Sequence, residues 1–334
     1  MAGTDKRAVL EVENLRIEFP TRRGTLVAVD DVSFRIDEGE VLGVVGESGA
    51  GKSLTGASII GLLEPPGRIA AGEVRLAGRR IDNLPYEEMR KIRGSEIGMV
   101  FQDPLTSLNP LYSIGRQLVE TIQTHTDLSE SAARKRAIEL LAEVGIPSAK
   151  VRIDQYPHQF SGGMRQRVVI ALALCVNPRL IIADEPTTAL DVSIQAQIIT
   201  LLKRLCREHN AAVMLITHDM GVIAETANRV AVMYAGRLAE VGPVEQVIKH
   251  AKHPYTHGLM SSIPKIGRDA DRLIQIEGSM PRLTDIPPGC AFNPRCPKAF
   301  ARCEVDRPDL IPVDRSQVAC WLFDEAARRT GSHG

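Results

Sequence analysis

The sequence predicts an α/β fold built around a phosphate-binding turn, and three observations carry that expectation. Residues 41–45 form a continuous apolar run, the pattern of a strand buried on both faces. A glycine-rich turn over residues 46–53 follows directly, and residues 52–63 then read as a helix stopped by Pro65, Pro66 and Gly67. Two more buried-strand runs, residues 180–183 and 213–217, alternate with helical stretches, as layered α/β sheets require.

The remaining elements follow in order. Ahead of the turn, residues 9–12, 15–19, 27–29 and 32–36 read as four short strands separated by charged or glycine-containing turns. In residues 132–144, Ala133, Ala137, Leu140, Leu141 and Val144 fall on one helical face, and Gly145 closes the helix. The longest apolar run, residues 168–176, fits a buried helix. Residues 230–234 and 237–241 read as a hairpin across Ala235-Gly236. Beyond His253, nine prolines between Pro254 and Pro312 leave little room for regular helix. A domain boundary is expected there, between residues 1–255 and an extension over 256–334. Residues 330–334 read as a disordered tail.

Composition narrows the function. Lys plus Arg (41) equals Asp plus Glu (41), so there is no basic excess of the kind that coats nucleic acid or anionic membrane. No run approaches the roughly 18–20 apolar residues of a membrane span, and Asp5, Lys6 and Arg7 precede no secretory apolar segment. The expectation is a cytosolic chain whose membrane contact is peripheral.

The turn reads Gly46-Glu47-Ser48-Gly49-Ala50-Gly51-Lys52-Ser53, a full match to G-x-x-x-x-G-K-[ST]. Its backbone N–H groups and the N-terminus of the next helix suit phosphate oxygens. Lys52 is expected on the terminal phosphates of a nucleotide and the Ser53 hydroxyl on Mg²⁺. A second element is residues 180–185, which reads as a buried strand ending in Asp184 and Glu185. Asp184 is expected to hold the Mg²⁺, and Glu185 to act on the attacking water as general base.

Further residues resemble the ABC ATPases, in the order that family requires. Ser161-Gly162-Gly163 lies in Phe-Ser-Gly-Gly-Met, which resembles the family signature Leu-Ser-Gly-Gly-Gln with its phosphate-facing part intact. Gln102 resembles the Q-loop glutamine, which senses Mg²⁺ and nucleotide. Asp191, in Ala189-Leu190-Asp191, resembles the D-loop, and His218 the switch histidine. Phe19 stands where the family places a ring that stacks on adenine. The resemblance implies a P-loop ATPase domain with a RecA-like core, an antiparallel β subdomain and an α-helical subdomain over about residues 103–170. It also implies that Ser161-Gly162-Gly163 completes the ATP site of a second subunit, a paralogue or another copy.

Residues 103–110, 184–192 and 253–259 resemble the peptide and nickel importer branch. That branch implies two integral-membrane permease subunits, an extracytoplasmic solute-binding protein, and a place on the cytoplasmic face of the membrane. The implied solute is an oligopeptide or dipeptide, with nickel, an opine or another small solute as the alternative. A soluble ABC ATPase acting on DNA or ribosomes is the reading of a different class. It lacks the usual coiled-coil insertion or second cassette here.

Six cysteines divide in two. Cys175 and Cys206 sit in apolar or helical segments as small hydrophobes. Cys290, Cys296, Cys303 and Cys320 are spaced C-x5-C-x6-C-x16-C. Four thiolates suit tetrahedral zinc or an iron–sulfur cluster. The chemistry leaves both open, and the resemblance to peptide importer ATPases implies [4Fe-4S].

Overall fold

The computed structural model describes residues 7–188, 190–261 and 276–324, so the expected tail at 330–334 lies outside the described residues. In chain order the strands are β1 (Ala8–Thr21), β2 (Gly24–Asp37), β3 (Val41–Val45), β4 (Arg68–Leu76), β5 (Arg79–Arg80) and β6 (Ile97–Val100). They continue as β7 (Leu180–Asp184), β8 (Ala212–Ile216), β9 (Arg229–Tyr234), β10 (Arg237–Pro243), β11 (Ile311–Val313) and β12 (Ser316–Val318). The chain forms two compact units, each assembled from separate stretches. One holds Met1–Glu11, Arg35–Val41 and Arg75–Ile216, the other Val12–Phe34, Leu42–Val74 and Thr217–Gly334.

In the first unit β6, β7 and β8 pair in parallel, with Ile97 opposite Leu180 and Leu180 opposite Ala212. Every residue of β7 and β8 is buried, which explains why both read as unbroken apolar runs. Burying a side chain such as Ile181 or Ile182 contributes about 1.5–3 kcal/mol. The long apolar run lies mostly in helix Gly162–Leu174, whose buried face includes Val168, Val169 and Ile170. Helix Glu130–Glu143 starts where Ser129 Oγ accepts the Ala132 N–H, and Gly145 at φ 78° ends it, as its spacing predicted. Cys175 and Cys206 are buried, and burial pushes their thiols up to about 11 and about 12.

In the second unit β3 runs parallel to β9, with Leu42 opposite Arg229 and Val45 opposite Val232. β9 turns antiparallel into β10 through Ala235 and Gly236, at φ 45° and 79°. Two successive positive φ values make the two-residue hairpin turn that matches strand twist. β12 then pairs with β10, Glu240 opposite Val318, and β11 pairs with β12.

Two expectations need correction. The four short N-terminal strands are two long ones, because Asn14 (φ 47°) and Asp31 (φ 59°) take left-handed backbone inside continuous strands. Short polar side chains tolerate that conformation, so a turn-like residue need not end a strand. The proline-rich extension also opens on a helix, Pro254–Ser261. A proline in the first helical turn loses no hydrogen bond, since that N–H has no partner in any case.

Asp30 ties this unit together. Arg16 and Arg307 bond its carboxylate at 2.8 Å, and Arg237 bonds it as well. Burial works against the charge, yet the hydrogen bond and charge of Arg237, with Arg16 and Arg307, hold the carboxyl below the usual range.

Candidate functional site: a phosphate loop and a carboxylate at a strand end

The phosphate turn belongs to the second unit. β3 is buried throughout and delivers the chain to Gly46 at φ 154°. A Cβ at Gly46 would stand 2.3 Å from the Met233 carbonyl oxygen, so only glycine fits this approach. Helix Lys52–Ile59 follows. Lys52 is 5% exposed, and its ammonium donates to Gly46 O at 2.8 Å and Glu47 O at 3.0 Å. The cation is thus folded onto its own loop, while Ser48, Gly49 and Ser53 face solvent. Ala50 is buried, and its carbonyl accepts the Gly236 N–H at 3.0 Å.

His218 lies in the same unit. The Thr217 N–H donates to Val44 O at 3.2 Å, setting the histidine beside the strand that feeds the loop. Its ring is exposed, and Asp219 after it caps helix Met220–Thr226 by accepting from Gly221 N and Val222 N. Phe19 is half-buried against Gly67, whose added Cβ would stand 2.7 Å from the ring.

The first unit carries the other predicted residues. β7 ends in buried Asp184, and Glu185 follows at φ 45° with its N–H donating to Ile216 O at 2.8 Å. Glu185 Oε2 accepts from Gln102 Nε2 at 3.0 Å and from Thr188 Oγ1 at 2.8 Å. Gln102 thus reaches a carboxylate 83 positions away in sequence. Thr188 escaped the sequence reading, although its position three residues after Glu185 was a usable signal.

Ser161 opens helix Gly162–Leu174, its Oγ accepting the Met164 N–H at 3.3 Å. A Cβ at Gly163 would stand 2.8 Å from Ile194 Cγ2, which keeps that helix start close to helix Val192–Glu208. Asp191 is exposed at the start of that second helix, where its carbonyl accepts from Ile194 N and Gln195 N at 2.9 Å. Ala189 lies outside the described residues.

The late cysteines gather in the second unit. Cys290, Cys296, Cys303 and Cys320 line one narrow cavity with His253 and Lys298 on its walls. The Cys290 N–H donates to Cys303 O at 2.9 Å, and Asn293 Nδ2 donates to Cys290 O at 2.9 Å. Burial, and the neighbouring sulfurs after it, push Cys290 up to about 11 and Cys320 up to about 12. Among the described residues, however, no group of three or more His, Cys, Asp or Glu stands where it could hold a metal ion. The expected metal centre is therefore unsupported. What holds is a convergence of four thiols that spacing alone could not establish.

Among the described residues no helix is long and apolar enough to cross a membrane. Residues 29–188 match the family model described as ABC transporter, and residues 239–303 match the oligopeptide/dipeptide transporter C-terminal region. The chain is 47% identical over 319 residues to the oligopeptide transport ATP-binding protein AppD of Bacillus subtilis (strain 168), covering 95% of this chain and 97% of that one. It is 45% identical to the dipeptide transport ATP-binding protein DppD of Escherichia coli (strain K12), covering 97% of this chain and 99% of the relative. Its fold is similar to that of the dimeric ATP-binding cassette MJ0796 bound to ADP and Pi, at TM-score 0.63 and 31% identity, over 70% of this chain and 98% of the other. Sheet, phosphate loop, strand-end carboxylates and both matched regions lead to one conclusion: the chain belongs to the ABC transporter ATP-binding family, in its oligopeptide/dipeptide branch.

Proposed function

We propose that this chain hydrolyses ATP to ADP and phosphate and so powers import of oligopeptides or dipeptides through separate membrane permeases. The observation that carries the reading is Glu185, fixed at the end of a buried strand by Gln102 and Thr188. A carboxylate oriented by two donors suits a general base that takes a proton from the attacking water. Lys52 leaves its own carbonyls for the terminal phosphates, His218 meets the γ-phosphate, and Phe19 stacks on adenine.

Mg²⁺ is commonly bound by one or two carboxylates together with substrate phosphates, so a cage of acidic residues is not required. The ligands that the family resemblance implies have that chemistry: the Ser53 hydroxyl in one unit, and Asp184 and Gln102 in the other. When bound, the ion neutralises charge on the phosphates.

One chain has one phosphate loop and one Ser161-Gly162-Gly163 turn, so two subunits form the complete sites. Ser161, Gly162, Gly163 and Asp191 then act on the nucleotide held by the partner. We take that partner to be a paralogue, with a second copy as the alternative. Exposed Phe101, Leu105 (62%) and Leu111 (79%) flank the Gln102 loop, an apolar face suited to a permease helix. A solute-binding protein outside the membrane selects the peptide. The chain itself works at the cytoplasmic face, with residues 1–255 as the ATPase domain and 256–334 as a regulatory extension.

Reconstitution tests this reading. Chain, paralogous ATPase subunit, permeases and binding protein in proteoliposomes are expected to take up labelled short peptides only with ATP present. Uptake of nickel or an opine but no peptide would move the substrate, and recovery of the chain with ribosomes or DNA would overturn transport altogether.

For the four thiols the finer reading is a [4Fe-4S] cluster. The resemblance to peptide importer ATPases is what supports the cluster, with zinc as the alternative. Protein purified without oxygen is expected to be brown and to hold about four irons and four sulfides per chain. Colourless protein without iron would dismiss the cluster.

A further inference from the structure

Glu47 is a carboxylate in the second position of a loop that must receive a polyanion, and it does not stand alone. Arg295 Nη1 donates to both of its carboxylate oxygens, at 3.1 and 3.0 Å, from 248 residues away. The arginine side chain is 8% exposed and otherwise fully engaged. Its Nε donates to Glu277 O at 2.9 Å, its Nη2 to Gly278 O at 3.3 Å, and Nη1 also reaches the Tyr234 hydroxyl at 3.3 Å.

The surroundings fix that geometry. The guanidinium lies 5.9 Å from the ring centres of both Tyr234 and Phe292. Tyr255 packs edge-on to Tyr234, and its hydroxyl accepts the Glu47 N–H at 2.9 Å. The Met280 methyl lies 3.0 Å from where a Cβ on Gly49 would stand. Two stretches of the C-terminal extension, 276–280 and 290–296, therefore rest on the phosphate loop. All these residues belong to the same compact unit.

We propose that Arg295 is a positioning residue for ATP binding: it neutralises Glu47 and fixes its orientation, so that the phosphate loop meets the nucleotide without an uncompensated carboxylate. This rests on the ATPase reading above. A bare carboxylate beside a triphosphate repels it, and the repulsion is strong where solvent is partly excluded. An arginine whose Nη1 donates to both carboxylate oxygens, with Nε and Nη2 held by backbone carbonyls, offsets the charge and holds the side chain in one geometry.

The test separates neutralisation from simple bolting. Arg295→Ala is expected to raise KM for ATP about tenfold, the size of one charge-assisted interaction lost, with kcat changed less than about twofold. Adding Glu47→Gln to Arg295→Ala is expected to bring KM back down, and raising salt is expected to narrow the gap between Arg295→Ala and the native chain. Arg295→Lys, which keeps the charge but loses the bonds from Nε and Nη2 to Glu277 O and Gly278 O, is expected to fall between. A purely structural tie predicts no rescue by Glu47→Gln and no salt effect, and either result overturns the proposal. Unchanged KM in Arg295→Ala overturns it too. Should Arg295→Ala lower thermal stability so far that it does not fold, Arg295→Lys decides by the same salt series. A native chain that binds no ATP would sink the ATPase reading first, and so marks that failure apart from this one.

Discussion

Glu185→Gln is expected to lower ATP turnover by about 10²- to 10⁴-fold, the usual worth of a positioned general base. ATP binding should survive. The amide has the size of the carboxylate, and its remaining oxygen can still accept from Gln102 and Thr188, which now share Glu185 Oε2. The strand end therefore keeps its shape while the proton acceptor is lost. With hydrolysis stopped, the two-subunit closed state has no route to open, because its bias is the intact γ-phosphate. Phosphate release measures the first effect, and size-exclusion chromatography with ATP shows the second as a persistent dimer. Turnover at the native rate would remove Glu185 from the base role.

Gly46→Ala is expected to abolish nucleotide binding and to destabilise the fold together. The new methyl would stand 2.3 Å from the Met233 carbonyl oxygen and 3.1 Å from Ala50 Cβ, at a φ of 154°. Neither obstacle is a flexible side-chain end. One is the backbone of β9, held on one side by β3 and on the other by β10. The loop must move, and with it the Gly46 and Glu47 carbonyls that seat Lys52. Strain of about 1–3 kcal/mol corresponds to a fall in Tm of several degrees for a chain of this size. Calorimetry reads the stability and fluorescent-nucleotide titration the binding. Native affinity in a folded Gly46→Ala protein would show that the loop tolerates a side chain there.

The site was legible wherever its chemistry is local. The phosphate turn is eight consecutive residues between a buried strand and a helix, and Asp184-Glu185 ends a second buried strand, so periodicity and motif agree. Gln102 and His218 were found by their order along the chain. Their geometry was not, because the Gln102–Glu185 bond spans 83 residues and follows from the parallel pairing of β6 with β7. Arg295 was out of reach for the same reason. Nothing in Asn293-Pro294-Arg295 marks it as the partner of a glutamate 248 positions earlier. The merged N-terminal strands failed differently, since Asn14 and Asp31 are turn residues by propensity, and pairing along the sheet overrode them. The thiols were placed together correctly by clustering in sequence, but spacing says nothing of how far apart sulfurs finally stand.

One consequence concerns the pairing of β12 with β10. Residues 316–318 cover a strand flank of the hairpin whose N–H and C=O groups would otherwise be open. The new outer strand, β11, is three residues long and contains Pro312, a poor template for any further chain. Shortening the protein before residue 311 would thus do more than remove Cys320. It would bare the β10 backbone at Glu240 and Val241, and an open strand flank is a template for other chains. The segment over residues 311–318 thus closes a sheet flank as well as carrying the chain to its last cysteine.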